Sequence, residues 1–533
     1  MPRKEADWRL TDDGRVYRRA KKTYPNGDAY EGEFVDGLRE GQGTLRYADG
    51  NVYAGFFKAN QFHGLGHMKY ATLVEDGETI VGRSYEGEWE GGMKHGRGVY
   101  EAGNGDVYEG EFKHDLFHGE GEYRTTRGDK LQGEWKRGKM SGQATCRYIG
   151  GRRYDGQMAG GKHHGRGRMF FGKGRGWYEG EYRFGEQHGT GTRKYMNGNL
   201  YEGGFCVGEP HREGAMHYAN GDMYVGQWHY GLRQGKGVLS IATGERYEGE
   251  FLKGQFYGRG KYMWSDGGYY DGDYLARAPG IGHNVQFPLV NGLRHGVGLR
   301  LWASGARYEG TWADDRMSGE GVYTCPQGSR YQGQFREGYR EGKGRCRWGN
   351  QHDSPFMCPL GFKHAGRGYC VYEGNWLRGQ WHGHGEFRCL DGRRSEGTWR
   401  EGALDGWGVS FLMLESERGD PRRMCIGGVG GMYRVYKYAG EWEAGRREGL
   451  GVAEYANEDR LIGNFVNTHM HGPGVCVFGS TAKIRAGVWN MGYRERWVDW
   501  DNEEAKAPVL VAVVKSLRDG PNRLLSGNLD EVR

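Results

Sequence analysis

Between residues 85 and 100 the chain alternates. Tyr85, Gly87 and Trp89 take turns with Glu86, Glu88 and Glu90, and a little further on Gly96, Gly98 and Tyr100 take turns with Arg97 and Val99. A period of two puts the aromatic and glycine positions on one face of a β-strand and the charged positions on the other. Gly91-Gly92 between the two segments and Asn104-Gly105 after them supply the positive φ angles of tight turns. The stretch predicts a β-hairpin followed by a turn into the next.

The pattern recurs. YEGEF at 30–34 returns as YEGEW at Tyr85, YEGEF at Tyr108, YEGEY at Tyr178 and YEGEF at Tyr247. The leading position runs through Tyr30, Tyr53, Tyr85, Tyr108, Leu131, Tyr154, Tyr178, Tyr201, Tyr224, Tyr247 and Tyr270, mostly in steps of 23 residues. It continues through Tyr308, Tyr331, Tyr372, Ser395, Tyr438 and Leu461 to a degenerate unit near Arg485. Longer steps place insertions near 71–84, 275–290, 349–371 and 409–437. Three regions follow. Residues 1–29, with Arg18, Arg19, Lys21 and Lys22, read as a basic segment forming a capping hairpin. Residues 30–497 hold about eighteen repeats. Residues 498–533 form a tail in which Val509, Leu510, Val513, Val514 and Leu517 share the apolar face of a short helix. The expected fold class is all-β: an elongated single-layer antiparallel sheet of tandem hairpins, with a short C-terminal helix.

Glycine makes up 102 of 533 residues, while Pro is only 12, which disfavours both a collagen-like rod and a flexible linker. Tyr, Trp and Phe rings replace an aliphatic core, and the glycines of the HGxG element serve as sockets over which those rings lie flat. The net charge of +6 is the difference between 75 basic and 69 acidic residues, too slight a field for a nucleic-acid-binding protein. No run of about eighteen apolar residues occurs, so neither secretion nor a membrane span is expected. Nine cysteines at irregular spacing suggest reduced thiols in the cytoplasm rather than a disulfide framework.

The repeat resembles the MORN family, the membrane occupation and recognition nexus. Tyr30 to Phe34, Tyr108 to Phe112 with His118-Gly119-Glu120-Gly121, and Tyr372-Glu373-Gly374 with His382-Gly383-His384-Gly385 carry the resemblance. It extends from residue 30 to about 497; Leu131, Ser395, Leu461 and Arg485 depart from the leading tyrosine. The resemblance implies an extended sheet of stacked hairpins used as an interaction scaffold in cytoskeletal, ciliary and membrane-junction proteins.

Chemistry finds little footing. The G-x-G elements lie on second strands, with no GxxxxGK[ST] loop and no strand-GxGxxG-helix unit. His63, His95 and their counterparts in the HG slot stand one hairpin apart, about 10 Å, too far to share a metal. His382 and His384 with Cys346, Cys358, Cys370 and Cys389 lack CxxC spacing. Glu31 and Glu33 read as residues of the charged face, and no GxSxG elbow occurs. No enzyme, cofactor or metal is expected.

Two functions remain. The first is a scaffold joining other proteins of a large cytoskeletal assembly, most naturally the ciliary or flagellar axoneme and its radial spokes. The second is a peripheral membrane organiser that binds acidic phospholipids, disfavoured because the charged face mixes both signs. Association as a homodimer stays open, and nucleic acid is not a partner. Trp89, Trp135, Trp228, Trp312, Trp376, Trp399 and Trp442 occupy the fifth position of their units and line one side of the sheet. With Phe411 and Leu412 from the insertion at 409–437, they are the candidate partner-binding residues, along a partly open aromatic groove. Deleting 409–425 is expected to weaken assembly, and charge reversal at Glu31, Glu86 and Glu109 to matter much less.

Overall fold

The computed structural model describes residues 8–10, 14–75, 78–80, 83–276, 292–348, 369–390, 392–411 and 435–498. They form an all-β fold of open antiparallel meander; the one helical turn among them is the 3-10 turn Ile149–Gly151. The chain divides into two compact units, 1–243 with 251–254, and 244–250 with 255–533. Each is built from the same hairpin.

Strands Val107–Lys113 and Leu116–Arg124 show how the repeat makes that hairpin. His114 and Asp115 join them with φ of 51° and 68°. Positive φ at both central residues is the type I′ geometry whose twist matches that of the flanking strands. Gly110 pairs with Gly121, but the next residue, Glu111, pairs with His118. The second strand therefore bulges at Gly119 and Glu120, with Gly119 at φ 53°. Glu111 holds the bulge: its carboxylate accepts the Glu120 backbone N–H at 3.4 Å. The same position does so elsewhere, as Glu88 to Arg97 N at 3.0 Å, Gln227 to Lys236 N at 3.1 Å and Asp273 to Val297 N at 2.9 Å. The second acid of YEGE is thus part of the backbone architecture, which corrects its reading as a plain surface charge.

The leading tyrosine lies along its own strand. Tyr108 is fully buried, and its hydroxyl donates to the Glu111 carbonyl at 3.0 Å. To get there the ring crosses Gly110 and Gly121, and a Cβ on Gly121 would stand inside it. Tyr53, Tyr178, Tyr224, Tyr308 and Tyr372 make the equivalent bond at 2.8–3.0 Å.

A second turn type links consecutive hairpins. Asp106 closes one such turn, and its carboxylate accepts the Thr126 N–H of the next at 2.9 Å. Asn51 to Ala71 at 2.7 Å, Asn199 to Ala219 at 3.0 Å and Asp222 to Ala242 at 2.9 Å repeat the link.

Before the first repeat, Val16–Thr23 pairs with Ala29–Val35, and Trp8–Leu10 pairs with Val16–Thr23. Within the first insertion Leu73–Glu75 pairs with Glu78–Ile80. Most of the other three insertions, and the tail with its expected helix, lie outside the described residues. In the last hairpins both faces turn apolar, with Tyr438, Phe465 and Trp489 on one and Val452, Ile462, Val475 and Ala486 on the other. Cys370 and Cys389 stand opposite each other on adjacent strands and are disulfide-bonded, a correction to the expectation of thiols only. The pairing depends on cross-strand register, which cysteine spacing along the chain does not reveal.

Candidate interaction surface

Seven of the nine candidate residues turn out to share one structural task. The indole N–H of Trp89 donates to the Gly66 carbonyl, Trp135 to Gly121, Trp228 to Gly214 and Trp312 to Gly298, at 3.1–3.2 Å. Trp376 donates to Gly344, Trp399 to Gly385 and Trp442 to Gly408, at 2.9–3.1 Å. Each ring ties its hairpin to the second strand of the hairpin before it, and all but Trp442, whose preceding hairpin leads with Ser395, stand beside the tyrosine of that hairpin (Tyr108 to Trp135, 5.3 Å, edge to face). Six of the seven are 1–8 % exposed, and Trp442 is half-buried.

What closes this face is the residue just ahead of the HG slot, which the sequence reading passed over. Phe117 stacks on Tyr108 at 3.8 Å, Phe256 on Tyr247 at 3.7 Å and Trp381 on Tyr372 at 4.4 Å. Elsewhere the same position carries a cation: the Arg340 guanidinium lies 4.3 Å from the Trp376 ring and donates to the Gly379 carbonyl at 2.8 Å. The recurring large residue ahead of His-Gly was the available signal. The aromatic side is therefore sealed by its own side chains rather than being a partly open groove.

The hollows lie on the charged face. In the second unit a groove of about 1100 Å³ runs over strands between Glu320 and Lys437. A ladder of ion pairs runs along it, made of lining residues except for Arg388. Glu373 meets Arg345 at 3.7 Å and Arg388 at 3.9 Å; Glu386 meets Arg388 at 3.5 Å and Arg394 at 2.6 Å; Arg394 also meets Glu396 at 2.8 Å. Such exposed pairs add little stability singly, but they fix the positions of the groove's charges.

One end of the groove is apolar: Trp407, Val409 and Phe411 lie half-buried in the positions that hold charged or polar residues in most other hairpins. The Trp407 indole N–H is buried with no hydrogen-bond partner among the described residues, and the Lys437 amine lies 5.0 Å from the Phe411 ring. Burial pushes the Lys437 amine below the usual lysine range. Phe411 is thus the candidate residue that faces a hollow, while Leu412 lies outside the described residues. A smaller hollow of about 520 Å³ on the charged face of the first unit is lined by Arg166, Arg168, Glu179 and Glu181. The groove offers fixed charges of both signs beside an apolar floor. Among the described residues no group of three or more His, Cys, Asp or Glu is placed to hold a metal.

Hairpins that bond each to the next, with one face sealed and the other grooved, define a tandem-repeat interaction protein. The chain belongs to the MORN repeat family, whose repeat matches it between residues 30 and 481, over more than half its length. Residues 201–223 escape the match, and there Gly204 replaces the bulge-holding acid and Arg212, at φ 64°, replaces the bulge glycine. Alsin of Rattus norvegicus is 29% identical over 125 residues, 23% of this chain and 7% of Alsin. The ALS2 C-terminal-like protein of Homo sapiens is 31% identical over 112 residues, 21% of this chain and 10% of that protein. The matches thus span a tenth or less of these relatives' length. Among solved structures, the SAS-4 TCP domain of Drosophila melanogaster, in complex with a proline-rich motif of Ana2, covers 43% of this chain and 86% of its own at 11% identity. Its TM-score is 0.15, too slight a likeness to support an argument.

Proposed function

We propose that this chain is a non-enzymatic scaffold for proteins of a cytoskeletal assembly, namely the ciliary or flagellar axoneme, in a radial spoke or related complex. The observation that carries the scaffold reading is the groove on the charged face, where fixed charges of both signs border the apolar floor of Trp407, Val409 and Phe411. A polypeptide can set an apolar side chain on that floor and its polar groups against the ordered charges beside it. Phe411 is the partner contact, with Leu412 next along the chain, and the seven tryptophans hold hairpin to hairpin. Glu31, Glu86 and Glu109 are not among the residues that line this groove, so their reversal leaves partners bound. An acidic bilayer suits the groove less well, because the carboxylates Glu320, Glu373, Glu386 and Glu396 stand among its cations, and the last three pair with Arg345 or Arg394.

The test is proximity labelling and localisation of the tagged chain in ciliated cells, alongside Trp407→Ala and Arg394→Glu. Axonemal neighbours in the wild type that are lost in both variants are the expected result. Localisation to a membrane compartment, with binding to vesicles of acidic phospholipid, would overturn it.

A further inference from the structure

The turns inside the hairpins carry a second signal. Among the described turns of two residues, the first central residue has positive φ, a conformation that bulky and β-branched side chains rarely adopt. Gly160 and Lys253 occupy it on either side of a run of three consecutive hairpins in the first unit. Within that run the position holds Phe184 (φ 53°), Val207 (φ 50°) and Tyr230 (φ 43°). All three point outward, at 67%, 64% and 54% exposure, so packing within the unit does not account for them. Backbone strain combined with exposed apolar surface, repeated three times in register, is a reason to look for a function.

The surroundings narrow the choice of partner. Glu186 and Glu209 follow the first two turns, and their carboxylates reach along the edge toward the next turn. They come within 3.7 Å and 3.0 Å of where a Cβ would stand on Gly208 and Gly231. Acid therefore lies between the apolar tips. Imidazole rings flank them: His164 lies 5.8 Å from Phe184, and His211 and His229 lie 4.8 and 4.7 Å from Tyr230.

Spacing supplies the rest. Turns of the same kind are two strands apart, about 9.6 Å. Seven residues of α-helix advance about 10.5 Å and return to the same face, with the residues three and four along lying between them. A β-strand returns to one face every two residues, about 6.8 Å, and does not match. Polyproline II matches in rise, about 9.3 Å per turn, but turns its intermediate residues away from the carboxylates.

We propose that the edge formed by Phe184, Val207 and Tyr230 docks a basic amphipathic helix of a partner protein. Apolar residues seven apart seat on the three tips, and Lys or Arg between them meets Glu186 and Glu209. This surface is separate from the charged-face groove, and the proposal stands without the cellular assignment above.

The test uses the full chain and three labelled probes: a 21-residue helical peptide with leucines seven apart and lysines between them, a scrambled peptide of the same composition, and a proline-rich peptide. Binding is read by fluorescence anisotropy at two salt concentrations. The ordered helix binds best, and binding weakens about tenfold in Phe184→Asn/Val207→Asn/Tyr230→Asn and again in Glu186→Lys/Glu209→Lys. Asparagine favours the turn conformation, so the triple variant keeps its hairpins, which amide exchange verifies. Equal binding of ordered and scrambled peptides, or no effect of either variant, would overturn the proposal. Preference for the proline-rich peptide would overturn the helix. A wild-type dimer that the triple variant converts to monomer would assign the edge to a second copy and overturn the partner.

Discussion

Gly121 and Gly92 are both glycines of a hairpin, yet they do different work. At Gly121 a Cβ would occupy the space of the Tyr108 ring, whereas at Gly92, with φ 82°, nothing lies within 4 Å. Gly121→Ala should cost about 2–3 kcal/mol, by displacing the ring and its hydroxyl bond to Glu111. Gly92→Ala carries only the left-handed backbone penalty, about 1–2 kcal/mol. Amide exchange over 107–124 and 84–101 compares the two; equal effects would refute the socket role. Asp106 supplies a pH dependence. Its carboxyl is held below the usual range, first by the Thr126 N–H and then by the Tyr123 hydroxyl, 2.8 Å away. A depressed carboxyl binds protons less readily folded than unfolded, so its contribution is full above about pH 4 and is lost as pH falls through the folded value. Asp106→Asn keeps the Thr126 bond, as Asn51 and Asn199 do at their turns, and should remove this part of the acid sensitivity. Exchange at Thr126 between pH 5 and 3 provides the check.

At the scale of the hairpin, a bulge and an indole do the joining. Glu88 accepts the Arg97 N–H at 3.0 Å, so Glu88→Ala leaves the bulge N–H to solvent and loosens Met93–Glu101, while Glu88→Gln retains the bond. The glutamines at 157, 227 and 334 already serve in this way. A thermal shift that is similar for both variants would show that charge, rather than the bond, matters. Trp228→Phe keeps a ring but loses the bond to the Gly214 carbonyl. It should cost about 1 kcal/mol, confined to Glu209–His217 and Met223–His229. Exchange spread evenly over the first unit would contradict a link between neighbours.

For the whole molecule, stability is a sum over hairpins and their neighbours, so damage should stay local. Tyr308→Ala empties a fully buried site in the second unit and should cost about 3–5 kcal/mol in Arg307–Ala313, Arg316–Thr324 and the adjoining strands. Exchange in residues 29–240 of the first unit should be unchanged. Simultaneous loss of protection in both units would mean that the chain unfolds as one block.

The hairpin, its two faces and its turns are legible along the chain, because a period of two and the spacing of glycines are properties of neighbouring residues. Tyr108, Gly110 and Phe112 fall on one face in the sequence as they do in the structure. The roles of Glu111, Phe117 and Trp135 are not legible in this way. Each depends on which atom of another strand stands opposite, and the bulge at Gly119 shifts that register. Trp135 meets the Gly121 carbonyl, Phe117 lies over Tyr108, and Cys370 faces Cys389, contacts between strands that spacing alone does not identify. Tertiary structure therefore decided that the aromatic face is sealed and that the hollows lie among the charges. A face is open or closed according to what its neighbours place over it, whereas alternation specifies only which side a residue is on.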